Sequence, residues 1–323
     1  MTDEDRKGWL DRVRGSRRLL PRGLLDTPLV HRPELDEVLG CEALLKNECL
    51  GPIRSFKGRG TELLFTLREM TGPVVCASAG NFGQGIAWSA SARGIPSLVF
   101  AAAGASPLKV ERMRQLGAEV RLAGRDLDEA KEIARREAEV AGWTFLEDGR
   151  DEEMFLGAAT MGPELEGAGG GFDVLLCPVG NGALFGGLAG WFARRGLAPR
   201  RVGVVAADAP SMARSFTAGR CVSTRSAETI ADGIAVRTPV ARGVERVNAF
   251  ADEILTVSEA SLAAAVRLLV ETTGLVVEPA GAAAVAALLE HPSKFQGLRV
   301  AAPLCGSNLD PDRLAAILSS LGH

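Results

Sequence analysis

The chain has 323 residues, 46% of them hydrophobic, with a formal net charge of −3. That length suits one large α/β domain or two lobes around a sizeable core. The near-balanced charge gives no footing for nucleic acid, since arginines such as those in the 128–139 segment sit among acidic neighbours, and a small-molecule partner is expected. In chain order, strand-length apolar runs alternate with helical stretches: Val74–Ala77 then 85–93, Ser97–Ala101 then 107–116, Glu119–Leu122 then 126–141. After a glycine-rich loop at 167–171 the alternation resumes with Val174–Pro178, a helix over 184–195, a strand over 202–206, helices over 258–271 and Pro279–Glu290, and a last strand at Arg299–Leu304. Short β-rich runs alternating with amphipathic helices predict parallel βαβ units in an α/β fold rather than a sandwich.

No 18-residue uncharged apolar run occurs, and the polar start (Asp3, Glu4, Asp5, Arg6, Lys7) is unlike an ordinary secretory signal. Six cysteines (Cys41, Cys49, Cys76, Cys177, Cys221, Cys305) lack CxxC spacing, and the histidines are three (His31, His291, His323). A disulfide framework, a structural zinc and a serine-histidine triad are therefore not expected, and the compartment expected is the cytoplasm.

Chemistry concentrates in a lysine segment and three glycine-rich turns. In Ser55-Phe56-Lys57-Gly58-Arg59-Gly60 a lysine among small residues just ahead of a helix is placed to condense with an aldehyde. The turns Ser78-Ala79-Gly80-Asn81-Phe82-Gly83-Gln84-Gly85 and Pro178-Val179-Gly180-Asn181-Gly182-Ala183-Leu184-Phe185-Gly186-Gly187 each follow a strand-like run and precede a helix-like one. Both offer bare backbone amides at a helix N-terminus, suited to a carboxylate or phosphate. Leu304-Cys305-Gly306-Ser307-Asn308 closes the series. A dinucleotide fingerprint is the rival reading of the second turn, but the spacing is GxGxxxGG and no acidic residue follows on a clear second strand.

This order of motifs resembles the fold-type II pyridoxal phosphate enzymes, in the serine/threonine dehydratase and serine racemase branch. The likeness runs from Thr27-Pro28-Leu29 through Leu45-Lys46-Asn47-Glu48, the 229–236 segment and Val277-Glu278-Pro279-Ala280-Gly281-Ala282 to Asn308. It implies a two-lobed fold like the tryptophan synthase β chain, each lobe an open, twisted, mainly parallel sheet flanked by helices. A large cofactor-binding domain would comprise residues 1–49 and 151–323, and a small domain, 50–150, would close over the substrate.

The same resemblance assigns roles. Lys57 would form the Schiff base with pyridoxal 5′-phosphate and then take the substrate α-proton, with Phe56 as apolar cover. Gly180, Asn181, Gly182, Ala183 and Leu184 would hold the phosphate. Asn81 would reach the cofactor's 3′-oxygen, and Cys305 would face the pyridine nitrogen, where a thiol leaves the ring a poorer electron sink than a carboxylate does. Ser78, Ala79, Gly80, Asn81 and Phe82 would bind the substrate, chiefly through its carboxylate. The reaction implied is α,β-elimination of water from L-threonine or L-serine, giving a 2-oxo acid and ammonia.

Rival reactions on the same fold are racemisation, disfavoured because Ala79 stands where racemases carry a proton-donating serine, and β-replacement, disfavoured by the dehydratase-like Ala231-Asp232-Gly233-Ile234-Ala235-Val236. A non-catalytic binding protein is the reading from another class, opposed by Lys57. Departures from the family pattern are Phe82 in place of a histidine, Asn181 and Ala183 within the glycine run, and Pro52-Ile53-Arg54 before the lysine, where Arg54 is a candidate for an anionic substrate group. Asp232 and Glu278 are candidates for the site or for helix caps. No metal site is expected, because Asp208 is the lone acid after the 202–206 strand. By resemblance a homodimer is expected, and with the chain ending at His323 an appended regulatory domain is not expected.

Overall fold

In a computed structural model the described residues are 3–167 and 170–319. Residues 168 and 169 of the expected glycine-rich loop, and the chain end at His323, lie outside them. Ten strands are described: β1 (Leu29–Val30), β2 (Glu42–Asn47), β3 (Val74–Ala77), β4 (Ser97–Ala101), β5 (Glu119–Leu122), β6 (Thr144–Leu146), β7 (Val174–Pro178), β8 (Arg200–Ala206), β9 (Glu253–Val257) and β10 (Arg299–Leu304). They form two sheets, one of six strands in the order β1-β2-β10-β7-β8-β9 and one of four in the order β5-β4-β3-β6. Every neighbouring pair is parallel except β1 with β2.

Parallel pairing follows from the composition of the strands. All five residues of β7 and of β4 are buried, as they must be when helices cover both faces of a sheet. Alternation then sorts the side chains: Val174 and Leu176 of β7 pack with Leu262, Ala283 and Leu288, whereas Leu175 and Cys177 join Leu184, Phe185 and Trp191 on the opposite face. In the smaller sheet Val75, Leu98 and Phe100 meet Ala130, Ala134 and Ala138, three residues spaced by four along the helix Leu127–Ala141. That helix begins where Asp126 accepts a hydrogen bond from the Glu129 amide, and Gly142 ends it in the left-handed conformation at φ 67°.

The expected helices are present, with limits that differ by a few residues. The helix after β3 spans Asn81–Ser91, four residues earlier than the sequence suggests, because its first turn carries the glycines and Asn81 that read as loop. The helix after β7 spans Ala183–Arg195. Lys57 is itself the first residue of the helix Lys57–Leu67. Strands β1, β2, β6 and β9 are additional to the alternation read from the sequence.

Candidate active site

Four candidate segments come directly after strands: Ser78 follows β3, Asp148 lies two residues beyond β6, Val179 and Gly180 follow β7, and Cys305 follows β10. In open parallel sheets the carboxyl ends of strands are where ligands bind. The lysine segment is stitched to the last of these ends. Ser55 Oγ donates to the Cys305 carbonyl at 2.9 Å, the Phe56 amide donates to the same oxygen at 3.2 Å, and the Ser307 amide donates to the Arg54 carbonyl at 3.0 Å. Arg54 is exposed and holds φ 52°, a left-handed conformation that favours glycine.

Lys57 emerges half-buried from this junction, its Nζ 2.5 Å from Asp148 Oδ1 and 5.0 Å from the Phe56 ring centre. Asp148 is a site residue that sequence reasoning missed. Its neighbour Gly149, at φ 79°, lies so close to the turn after β7 that an added Cβ would stand 2.5 Å from the Asn181 Cβ. The loop after β6 therefore touches both Lys57 and the Gly180–Gly182 turn.

That turn is crowded from two other sides, an added Cβ on Gly180 meeting the Gly233 carbonyl at 3.0 Å and one on Gly182 meeting the Gly243 carbonyl at 2.9 Å. The helix Ala183–Arg195 starts here, and its N-cap, Gly182, supplies no side-chain acceptor, so the first-turn amides are not capped by a side chain. Asn181 Oδ1 is buried without a partner. Gly186 and Gly187 serve another purpose: a Cβ on Gly187 would stand 2.3 Å from the Phe155 carbonyl, so these glycines seat the helix against its neighbour Glu152–Ala159.

Around Gly306 a polar chain closes the site. Asn81 Nδ2 donates to Glu278 Oε1 at 2.5 Å, Asn308 Nδ2 donates to Asn81 Oδ1 at 2.7 Å, and Arg112 donates to Asn308 Oδ1. Lys109 Nζ reaches Asp232 Oδ2 at 2.6 Å and lies 3.6 Å from Glu278 Oε2. Burial pushes the Glu278 carboxyl above its ordinary range, against the pull of Lys109 and the Asn81 hydrogen bond. Lys109 is buried too, but Glu278 and Asp232 outweigh the desolvation and hold its ammonium above the usual lysine value. Burial, with Glu278 nearby, raises the Cys305 thiol well above the ordinary range, and its Sγ lies 3.7 Å from the Ala280 carbonyl, to which it donates. Burial and the like charge of Arg54 lower Arg112.

The expected substrate turn divides in two. Ser78 Oγ accepts from the Gly80 amide at 3.1 Å and the Gly83 amide at 2.9 Å, so its side chain shapes the turn. Phe82 is buried in the apolar cluster that holds Ile86, Val99 and Met113, apart from the polar chain. Ala79, Gly80 and Asn81 remain at the turn itself, with Asn81 joined to Glu278 and Asn308. Both Glu278 and Asp232 belong to the network, as do Lys109 and Asn308, which the sequence alone did not single out for a role.

Residues 20–306 match the family described as pyridoxal-phosphate dependent enzyme. An L-threonine ammonia-lyase from Thermotoga maritima is 34% identical over 313 residues, covering 96% of this chain and 78% of that protein. A phenylserine dehydratase from Ralstonia pickettii is 34% identical over 307 residues, covering 93% of each. Among solved structures, a threonine deaminase from T.th. superposes with a TM-score of 0.85 at 33% identity, covering 93% of this chain and 98% of the other. The chain belongs to the pyridoxal-phosphate dependent enzyme family, and its cofactor is pyridoxal phosphate.

The residues present fit that group. A lysine amine stands at the junction of two strand ends, an uncapped helix N-terminus with closely packed glycines offers amides to a phosphate, and the orphaned Asn181 side chain would present a donor to an anion if its amide were flipped. Among the described residues no helix is long and apolar enough to cross a membrane.

Proposed function

We propose that this protein is an ammonia-lyase that removes water from L-threonine or L-serine and releases a 2-oxo acid and ammonia. The observation that carries the reading is the Asp148-Gly149 loop touching both Lys57 and the Gly180–Gly182 turn, with Asn81 hydrogen-bonded to Asn308 beyond β10, in a chain whose relatives include an L-threonine ammonia-lyase.

Lys57 would hold the cofactor as a Schiff base. Gly180, Asn181, Gly182, Ala183 and Leu184 would take its phosphate, Asn81 its 3′-oxygen and Cys305 its ring nitrogen, with Phe56 covering the lysine. When bound, the cofactor holds the substrate amine and draws electrons from the α-carbon. Backbone amides of Ala79, Asn81 and Phe82, in the turn shaped by Ser78 and Gly80, orient the substrate carboxylate. Lys57 Nζ takes the α-proton, the Cβ–O bond breaks, the hydroxyl leaves as water with a returned proton, and the enamine set free takes up one water to give the 2-oxo acid and ammonia. Ala79 has no proton to give to the opposite face, which favours elimination over racemisation. In this reading residues 50–150 close as a smaller domain against 1–49 and 151–323, and the protein works as a cytoplasmic homodimer.

The test is release of 2-oxo acid and ammonia in equal amounts from L-threonine and L-serine by cofactor-loaded protein. Lys57→Ala should lower turnover by roughly a thousandfold or more, as expected for loss of both nucleophile and base. Cofactor-loaded protein that yields no 2-oxo acid from either amino acid would overturn the proposal.

A further inference from the structure

We propose that Asp148 is a specificity-determining residue: it admits substrates whose β-substituent donates a hydrogen bond or carries positive charge, and it excludes those with a β-carboxylate. The inference rests on the lyase reading of the same site and names its substrate class.

Distance sets what Asp148 can reach. A base that takes an α-proton works within about 3 Å of the α-carbon. Asp148 Oδ1 is 2.5 Å from the Nζ of that base, so a substituent on the adjacent β-carbon comes within reach of the carboxylate. An ionised carboxylate has acceptors only, so a hydroxyl or ammonium satisfies it and a second carboxylate is repelled. Asp148 has little freedom to withdraw. Gly149 is pressed against Asn181, and Asp151 Oδ2 accepts from the Glu147 amide at 3.2 Å, bracketing residue 148 within a tight loop. The Asp148 side chain accepts its hydrogen bond from Lys57. Lys57 bonds Oδ1, which leaves Oδ2 to accept from the β-substituent while Lys57 acts as the base.

Two isosteric amino acids without a β-leaving group, L-asparagine and L-aspartate, isolate the effect of charge from turnover. Their dissociation constants are read from the absorbance change of cofactor-loaded protein. The unmodified protein should bind L-asparagine at least about tenfold more tightly than L-aspartate. Asp148→Asn should bring the two within about threefold, and Asp148→Glu should restore the preference, which a merely structural role would not do. Equal binding by the unmodified protein, tighter binding of L-aspartate, or a ratio unchanged in Asp148→Asn would overturn the proposal. Because neither ligand eliminates, this outcome is independent of whether L-threonine yields a 2-oxo acid.

Discussion

Arg59, two residues beyond Lys57, is fully buried and ion-paired on both sides. Its Nε and Nη2 reach the two Glu48 oxygens at 2.8 Å each, and its Nη1 reaches Glu164 Oε1 at 2.7 Å. Lys46 adds a contact to Glu164 at 2.6 Å. Burial works to raise the Glu164 carboxyl, but Arg59 and Lys46 prevail and hold it at about 2. The network ties the first turn of the lysine helix to β2 and to the short helix Met161–Glu166, fixing where Lys57 emerges. Removing one partner strands buried charge, so Arg59→Met should destabilise the fold by about 3–5 kcal/mol in chemical denaturation. The Lys57 segment was legible in the sequence because lysine and small residues lie together. Asp148, 91 positions away, was not, because a single Asp-Gly after a three-residue strand reads as an ordinary turn.

Helix packing sets the second level. Glu152–Ala159 lies between the lysine helix and Ala183–Arg195, and glycines let all three approach closely. A Cβ on Gly157 would stand 2.3 Å from the Gly60 amide nitrogen, and one on Gly187 2.3 Å from the Phe155 carbonyl. The obstructing atoms are backbone and cannot rotate away, so Gly187→Ala should cost about 1–3 kcal/mol and lower the melting temperature by several degrees. The glycine run after β7 thus has two parts, and only Gly180 and Gly182 line the turn. The six-residue β10 and five-residue β7 and β4 were legible as apolar runs, and their limits agree with the sequence reading. Strand β2 was hidden because it ends in Lys46 and Asn47, polar side chains buried by the network around them, while β1 and β6 are too short for a periodic signal.

Across the whole molecule, Lys109 connects the two sheets' territories. It lies on the helix Pro107–Gln115, between β4 and β5, and reaches Asp232 and Glu278, which belong to segments between strands of the six-stranded sheet. Sequence reading placed Asp232 and Glu278 as candidates but had no means of pairing them with a lysine 123 positions away from Asp232. The raised Glu278 carboxyl binds its proton more tightly in the folded state. Its contribution to stability therefore falls as pH rises from the unfolded carboxylate value through the folded one. Without Lys109 that loss should deepen, so Lys109→Met should destabilise the protein more at pH 8 than at pH 5 in parallel urea titrations.

Everything proposed for the site depends on Lys57 being the amine that carries the cofactor. Cofactor-loaded protein reduced with borohydride and digested should show the pyridoxyl mass on the peptide bearing Lys57, with Lys57→Ala unlabelled under the same conditions. Labelling of another lysine, or equal labelling of Lys57→Ala, would contradict the account.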